Sequence, residues 1–251
     1  MISRLRPYLR DLGGEATVVI CGASAVLVIS HYQAATGYFY VLFGDRFSKH
    51  PAVSAFPYLY WFGASFVLYA IVPLLLAVAT RGSFTRNYGM GLGDWRAGLK
   101  LTGLFLLVML PAVYVASKMS AFAGQYPLAG KGAYMLKPPG EPERASWGLF
   151  IAYEAAYFGY FIAWEFLFRG YMLNGLLPKF GRAGAILIQV APFAIMHLGK
   201  AELEALGSIA AGIALGVLAL RTRSFWYGVL IHGVVAVWMD WLSARQFLAG
   251  S

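Results

Sequence analysis

Seven long apolar stretches dominate this chain and leave it few folds other than a bundle of helices in a membrane. They fall at 15–32, 58–80, 99–117, 148–177, 183–198, 205–220 and 224–242, and the segment 33–57 has room for one more helix. A spanning helix needs about 20 mostly apolar residues, and backbone polar groups in a bilayer must be paired within the helix. We therefore predict an all-α, polytopic transmembrane helical bundle with about seven to eight spanning helices, built as a single membrane-embedded domain over 1–251.

The charge pattern favours a lipid partner and excludes nucleic acid. Only 12% of the residues are charged, whereas a soluble domain has about 25%. The net charge is +9, but the basic residues are scattered between the apolar stretches and form no stripe or recognised nucleic-acid module. We expect them to contact anionic lipid headgroups. The sequence does not define an oligomeric state.

The basic residues also predict an orientation. Arg4, Arg6 and Arg10 precede the first apolar stretch, and no convincing small-residue cleavage site follows it, so we expect an uncleaved first transmembrane helix. With seven spans and a cytoplasmic N-terminus, twelve of the 20 Lys and Arg residues fall on the cytoplasmic side. The prediction is an integral protein of a bacterial inner membrane. The polar connection 118–146 would then be extracytoplasmic, either as a lid that faces the substrate or as a flexible connector.

Three ionisable residues interrupt the apolar stretches, and these are Glu165, His197 and His232. Charged and imidazole side chains at membrane depth are costly and usually face the interior of the bundle, where they are functional. An α-helix rises about 1.5 Å per residue, so Glu165 and His197 share a depth only if the fourth helix continues past Arg169 to about Leu177. We expect that continuation, and we expect the three residues to meet near the middle of the membrane.

One carboxylate and two imidazoles suit the activation of a water molecule. Glu165 would take a proton from the water, His197 would orient the water or shuttle the proton, and His232 would donate to a developing oxyanion. Arg169 is spaced i, i+4 from Glu165, so it either keeps Glu165 ionised or reaches the cytoplasmic interface. Glu154 shares the face of Glu165 and is a candidate accessory residue that lines an access path or packs between helices.

The same three side chains also suit zinc, which leaves two schemes open. The sequence contains no His-Glu-x-x-His motif, and the ligands would come from three different helices. We prefer the metal-free glutamate scheme, with no cofactor and no metal ligands assigned.

The motifs resemble those of the CPBP family, the CAAX prenyl endopeptidase and bacteriocin-processing (Abi) intramembrane proteases. Glu165 and Arg169 match the end of its Glu-Glu-x-x-x-Arg motif, Phe193 and His197 match Phe-x-x-x-His, and His232 matches the third motif. The resemblance is close over 160–240. It implies an intramembrane endopeptidase that acts on a membrane-anchored protein or peptide, with Glu165, Arg169, His197 and His232 in its catalytic site.

Two positions depart from the family pattern. Trp164 stands where the family has its first Glu, which is credited with activating water, and Ala236 stands where it has an Asn that holds the oxyanion. Asp240, eight residues after His232, is the nearest polar replacement and a candidate accessory residue. Either Glu165 takes the role of the base, or the chain is a catalytically silent relative that acts as a membrane binding or immunity protein. A proton-coupled transporter is a third hypothesis, although the chain has no internal repeat.

Overall fold

Helices make up most of the described chain. The computed structural model describes residues 14–81 and 88–248. Its helices are α1 (Glu15–Gln33), α2 (Thr36–Phe43), α3 (Phe56–Phe66), α4 (Val72–Arg81), α5 (Trp95–Ala116), α6 (Ser120–Ala123), α7 (Trp147–Glu165), α8 (Leu173–Ile195), α9 (Glu202–Thr222) and α10 (Trp226–Leu248). A short antiparallel hairpin joins β1 (Met135–Leu136) to β2 (Arg144–Ala145). The prediction of an all-α helical bundle is confirmed. The helix α2 lies within 33–57, but its eight residues are too few to span a bilayer.

The lengths and hydropathies of the helices identify an integral membrane protein. Within the described residues, five helical segments are long and apolar enough to cross a bilayer: Glu15–Gln33, Val53–Thr80, Trp95–Ala116, Glu202–Thr222 and Trp226–Arg245. The two other expected spans, 148–177 and 183–198, fall on α7 and α8 and are not among these five. Much of α7 is buried inside the protein instead. Arg4, Arg6 and Arg10 lie outside the described residues, so the orientation stays a prediction.

The expected fourth span is a helix with an irregular centre. A π-helical segment, Phe166–Met172, joins α7 to α8, and the path breaks at Gly181, which has a φ of 65°. A π turn adds a residue to the helical turn and is frequent at functional sites. The helix therefore continues past Arg169, as the depth argument required. Glu165 is the last residue of α7, and Arg169 lies within the π segment.

A tight turn anchors α5 to the ends of α9 and α10. The Asp94 side chain caps α5 by accepting from the Ala97 N–H at 3.1 Å, and it pairs with Arg221 at 3.0 Å. The Ala97 N–H and then the Arg221 guanidinium lower the pKa of Asp94. Gly93 has a φ of 54°, and a Cβ at this position would lie 1.9 Å from the Thr222 carbonyl oxygen. Only glycine fits this turn, which holds the start of α5 against the end of α9. The Tyr227 hydroxyl of α10 donates to the Leu92 carbonyl in the same turn at 2.6 Å.

The connection between α5 and α7 packs onto the helices that carry the ionisable residues. Gln125 Nε2 donates to the Gly199 carbonyl at 2.8 Å, and the Leu128 N–H donates to Asp240 at 2.9 Å. Tyr126 donates its hydroxyl to the Glu204 carboxylate at 2.9 Å. The connection thus contacts α9, α10 and the turn after α8.

Candidate active site

The Glu165 carboxylate is the centre of a buried polar cluster. Glu165 has no solvent exposure, and its Oε1 accepts from Arg169 Nη1 at 3.1 Å and from His232 Nδ1 at 2.9 Å. These contacts join α7, the π segment and α10. The expectation that Glu165, Arg169 and His232 would meet agrees with this geometry.

His197 completes the cluster from the turn that follows α8. Its Nδ1 lies 2.7 Å from the Phe193 carbonyl oxygen, and a carbonyl oxygen can only accept. Nδ1 therefore carries the proton, and Nε2 of a neutral His197 is a hydrogen-bond acceptor. The His197 and His232 rings are nearly parallel, 15° apart, with centroids separated by 6.2 Å. The fold brings both imidazoles to one place, as the sequence predicted.

Several polar atoms of this cluster have no hydrogen-bond partner within the described structure. They are Trp164 Nε1, Glu165 Oε2, Arg169 Nε and Arg169 Nη2, and all are buried. Most buried polar atoms in proteins are paired, so such a concentration marks a site that is arranged for a ligand or a reaction. A Cβ at Gly228 would lie 2.5 Å from Glu165 Oε2, so the backbone of α10 closely approaches this oxygen.

Aromatic rings enclose the cluster. The ring centroids of Phe161 and His232 are 4.3 Å apart, and the Arg169 guanidinium carbon lies 4.0 Å from the ring centroid of Phe193. Trp164 is 4% exposed, and its ring centroid lies 5.9 Å from His197 and 6.3 Å from His232. Because these rings exclude water, electrostatic interactions inside the cluster are stronger than at a protein surface.

The two accessory candidates lie in a second polar group. Asp240 is fully buried and accepts from the Leu128 N–H at 2.9 Å and the Tyr134 hydroxyl at 3.3 Å. Glu154 is also buried and lies within electrostatic range of Asp240. These hydrogen bonds hold the connection after α5 against α10. They suit a positioning role for Asp240 and do not connect it to Glu165.

A cavity of about 340 Å³ lies beside His197. Both chain neighbours of this histidine, Met196 and Leu198, line it, together with Trp61, Gln125, Leu128, Gly199 and Lys200. Ligand pockets typically have volumes of about 300–1,000 Å³. The connection after α5 supplies two of the lining residues and so forms part of the cavity wall.

The described residues contain no assembled set of zinc ligands. Zinc-bound nitrogen atoms lie about 2.0–2.1 Å from the ion, so the ligands must converge on one point. In the described part of the chain, no group of three His, Cys, Asp or Glu side chains has a spacing that could hold a metal ion. We derive no step through a metal.

A family comparison covers this same part of the chain. Residues 146–238 match the Rce1-like family model, Type II CAAX prenyl endopeptidase Rce1-like. The matched segment runs from the residue before α7 into α10 and contains Glu165, Arg169, His197 and His232. The resemblance inferred from the motifs is confirmed for this segment. Comparison with curated proteins and with solved structures gave no match.

Two features of the site were not predicted from the sequence. Trp164 was identified only as a departure from the family pattern, whereas its ring contacts both imidazoles. Gly228 was not identified, although it lies one helical turn before His232 and therefore on the same face of α10. The sequence indicated this only through a glycine four residues before a histidine in an apolar helix.

Proposed function

We propose that the protein is an intramembrane endopeptidase that hydrolyses a peptide bond of a membrane-anchored protein or peptide. The observation that carries this proposal is the buried Glu165 carboxylate, hydrogen-bonded to His232 near His197, within the segment that matches an endopeptidase family. The family's name makes a prenylated CAAX tail one candidate substrate. A transmembrane tail and a small peptide precursor are others.

Glu165 acts as the general base in this proposal. Arg169 and His232 hold Oε1, so the second oxygen, Oε2, is the atom that takes a proton from water. Arg169 is buried on the same helical path, and its Nη1 pairs with Glu165 Oε1 at 3.1 Å. The acceptor Nε2 of His197 orients the water or relays its proton. With Glu165 ionised, Nδ1 of His232 donates to the carboxylate and aligns it.

In this proposal, the substrate reaches the site from the cavity that is lined by both chain neighbours of His197. The cavity wall contains apolar side chains, among them Trp61, Met196 and Leu198, and the polar groups of Gln125 and Lys200. An extended peptide presents both kinds of group. We assign the cavity to the part of the substrate that lies next to the cleaved bond.

A catalytically silent relative is the second candidate, and Trp164 and Ala236 are the observations that favour it. Loss of a family carboxylate and of a family amide is expected when selection for hydrolysis has ended. The hydrogen bonds of Glu165 favour catalysis over a silent relative. Burying a carboxylate and two imidazoles together is costly, and a protein without hydrolytic activity would gain nothing from it.

Purified protein should cleave a membrane-anchored substrate in the presence of a metal chelator. The assay offers a library of membrane-anchored peptides to protein in detergent or liposomes and identifies products by mass spectrometry. We expect cleavage that chelation leaves unchanged, since no group of three ligand side chains among the described residues is spaced to hold a metal ion. Stable complexes without cleavage would identify a silent binding protein, and proton flux across liposomes would identify a transporter. One zinc ion per chain, with activity restored only by added metal, would overturn the glutamate mechanism.

A further inference from the structure

The indole N–H of Trp164 is an unpaired hydrogen-bond donor in the described structure. Its Nε1 is buried and has no acceptor among the described residues. Leaving a buried donor unpaired is unfavourable, so a protein usually keeps one only where a ligand satisfies it. Other tryptophans of the chain differ. Trp226 Nε1 donates to the Met90 carbonyl at 2.8 Å, and Trp238 Nε1 donates to the Leu110 carbonyl at 3.2 Å.

The position of the Trp164 ring connects this donor to the reaction. The indole is nearly perpendicular to both imidazoles, at 79° to His197 and 83° to His232, and about equally far from each. Glu165, its neighbour in the chain, carries the reactive carboxylate. A substrate carbonyl group attacked by water between Glu165 and the histidines therefore lies within reach of the indole ring.

Neither histidine can supply the donor that the reaction needs while it is neutral. The transition state of peptide hydrolysis places negative charge on the carbonyl oxygen, and a donor must be present for that oxygen. His197 Nδ1–H donates to the Phe193 carbonyl, and His232 Nδ1–H donates to the Glu165 carboxylate. In a neutral ring, Nε2 is then an acceptor. Ala236, at the family's Asn position, has no side-chain donor.

We propose that the Trp164 indole N–H is the hydrogen-bond donor that stabilises the oxyanion in this protein. The inference rests on the proposed function. Glu165 takes a proton from water as the water oxygen bonds to the carbonyl carbon, and the π electron pair moves onto the carbonyl oxygen. That oxygen accepts the Trp164 N–H. When the tetrahedral intermediate collapses, the pair returns, the C–N bond breaks, and the leaving amine takes the proton from Glu165.

Arg169 is the rival donor, since its Nε and Nη2 are also unpaired. Its guanidinium is engaged with the Glu165 carboxylate and stacked on the Phe193 ring. A donor that is already paired with the Glu165 carboxylate in the ground state is less available to an oxyanion that forms later. The indole N–H has no acceptor in the resting protein, so it forms its hydrogen bond only during the reaction. An interaction that is stronger in the transition state than in the ground state lowers the activation barrier.

The test replaces Trp164 by 3-benzothienylalanine, in which sulfur takes the place of the N–H and the ring shape is kept. We expect kcat for peptide cleavage to fall by about 10²-fold, as when one oxyanion donor is removed elsewhere, with KM nearly unchanged. Thermal stability should not fall, because the N–H has no partner in the resting protein. Trp164→Phe should lose kcat similarly.

The matched control is the same replacement at Trp238, whose N–H is bonded to Leu110. This variant should lose stability and keep its kcat. An unchanged kcat in the Trp164 variant, while unmodified protein cleaves, would overturn the inference and leave the proposed function intact. A kcat loss that accompanies an equal loss of stability would assign Trp164 a structural role and overturn it too. If the unmodified protein cleaves no substrate, the inference fails together with the proposed function.

Discussion

Glu165→Gln lowers the rate of peptide cleavage by about 10²–10⁴-fold, the range expected when a general base is removed. The amide keeps the size of the side chain, and its oxygen still accepts from Arg169 and His232, so the geometry of the site should be retained. The protein should lose some stability, because the buried Arg169 charge loses its counterion. The amide cannot take a proton from water. The measurement is the initial rate of cleavage of a membrane-anchored peptide by purified protein.

Glu154→Gln is the matched control for this variant. Glu154 is a buried carboxylate on the same helix, α7, but it belongs to the polar group around Asp240. The control should cleave at close to the unmodified rate. Comparable turnover by Glu165→Gln would show that another group activates the water.

Arg169→Met should destabilise the protein by about 3–5 kcal/mol, because it leaves a buried carboxylate without its ion pair. Arg169 and Glu165 are both fully buried as side chains, and their atoms lie 3.1 Å apart. Thermal or denaturant unfolding in detergent measures the change. Arg221→Met is the control, since the Arg221–Asp94 pair has a similar distance of 3.0 Å but an arginine side chain that is 61% exposed. An exposed pair contributes only about 0–1 kcal/mol.

The double variant Glu165→Gln with Arg169→Met separates stability from catalysis. Without the Glu165 charge, no unpaired ion remains at the site, so most of the lost stability should return. Activity should stay absent, since the base is missing. Equal stabilities of Arg169→Met and of unmodified protein would contradict a buried ion pair at the centre of the site.

Much of the bundle was predictable because hydropathy and helix geometry act locally. The boundaries expected for the first stretch, 15–32, agree closely with α1, the expected 205–220 lies within α9, and the expected 224–242 begins two residues before α10. The fixed rise per residue of an α-helix also led to the prediction that the helix continues past Arg169. The helix does continue there, through the π segment. The high cost of buried charge identified Glu165, His197 and His232 from single positions.

The features that were not predictable depend on contacts between distant parts of the chain. The Nδ1 proton of His197 is placed by the Phe193 carbonyl, and the approach of Gly228 to Glu165 depends on how α10 packs against α7. The lengths of 148–177 and 183–198 indicated a long, irregular helix and a short, buried one, but the set of tyrosines and charges that are buried in this region depends on the whole fold. Trp164 could be recognised as a substitution in a motif, but the pairing of its N–H depends on the whole fold.

Cleavage by the unmodified protein, compared with Trp164→Glu and with Trp164→Glu plus Ala236→Asn, tests the central claim most directly. The claim is that Glu165 serves as the base without the first family carboxylate. We predict that the unmodified protein cleaves a membrane-anchored substrate. Trp164→Glu should not improve on that rate, because it buries a second negative charge beside Glu165 and removes the indole N–H. Activity that appears only after the family residues are restored would contradict the account and identify the chain as a silent relative.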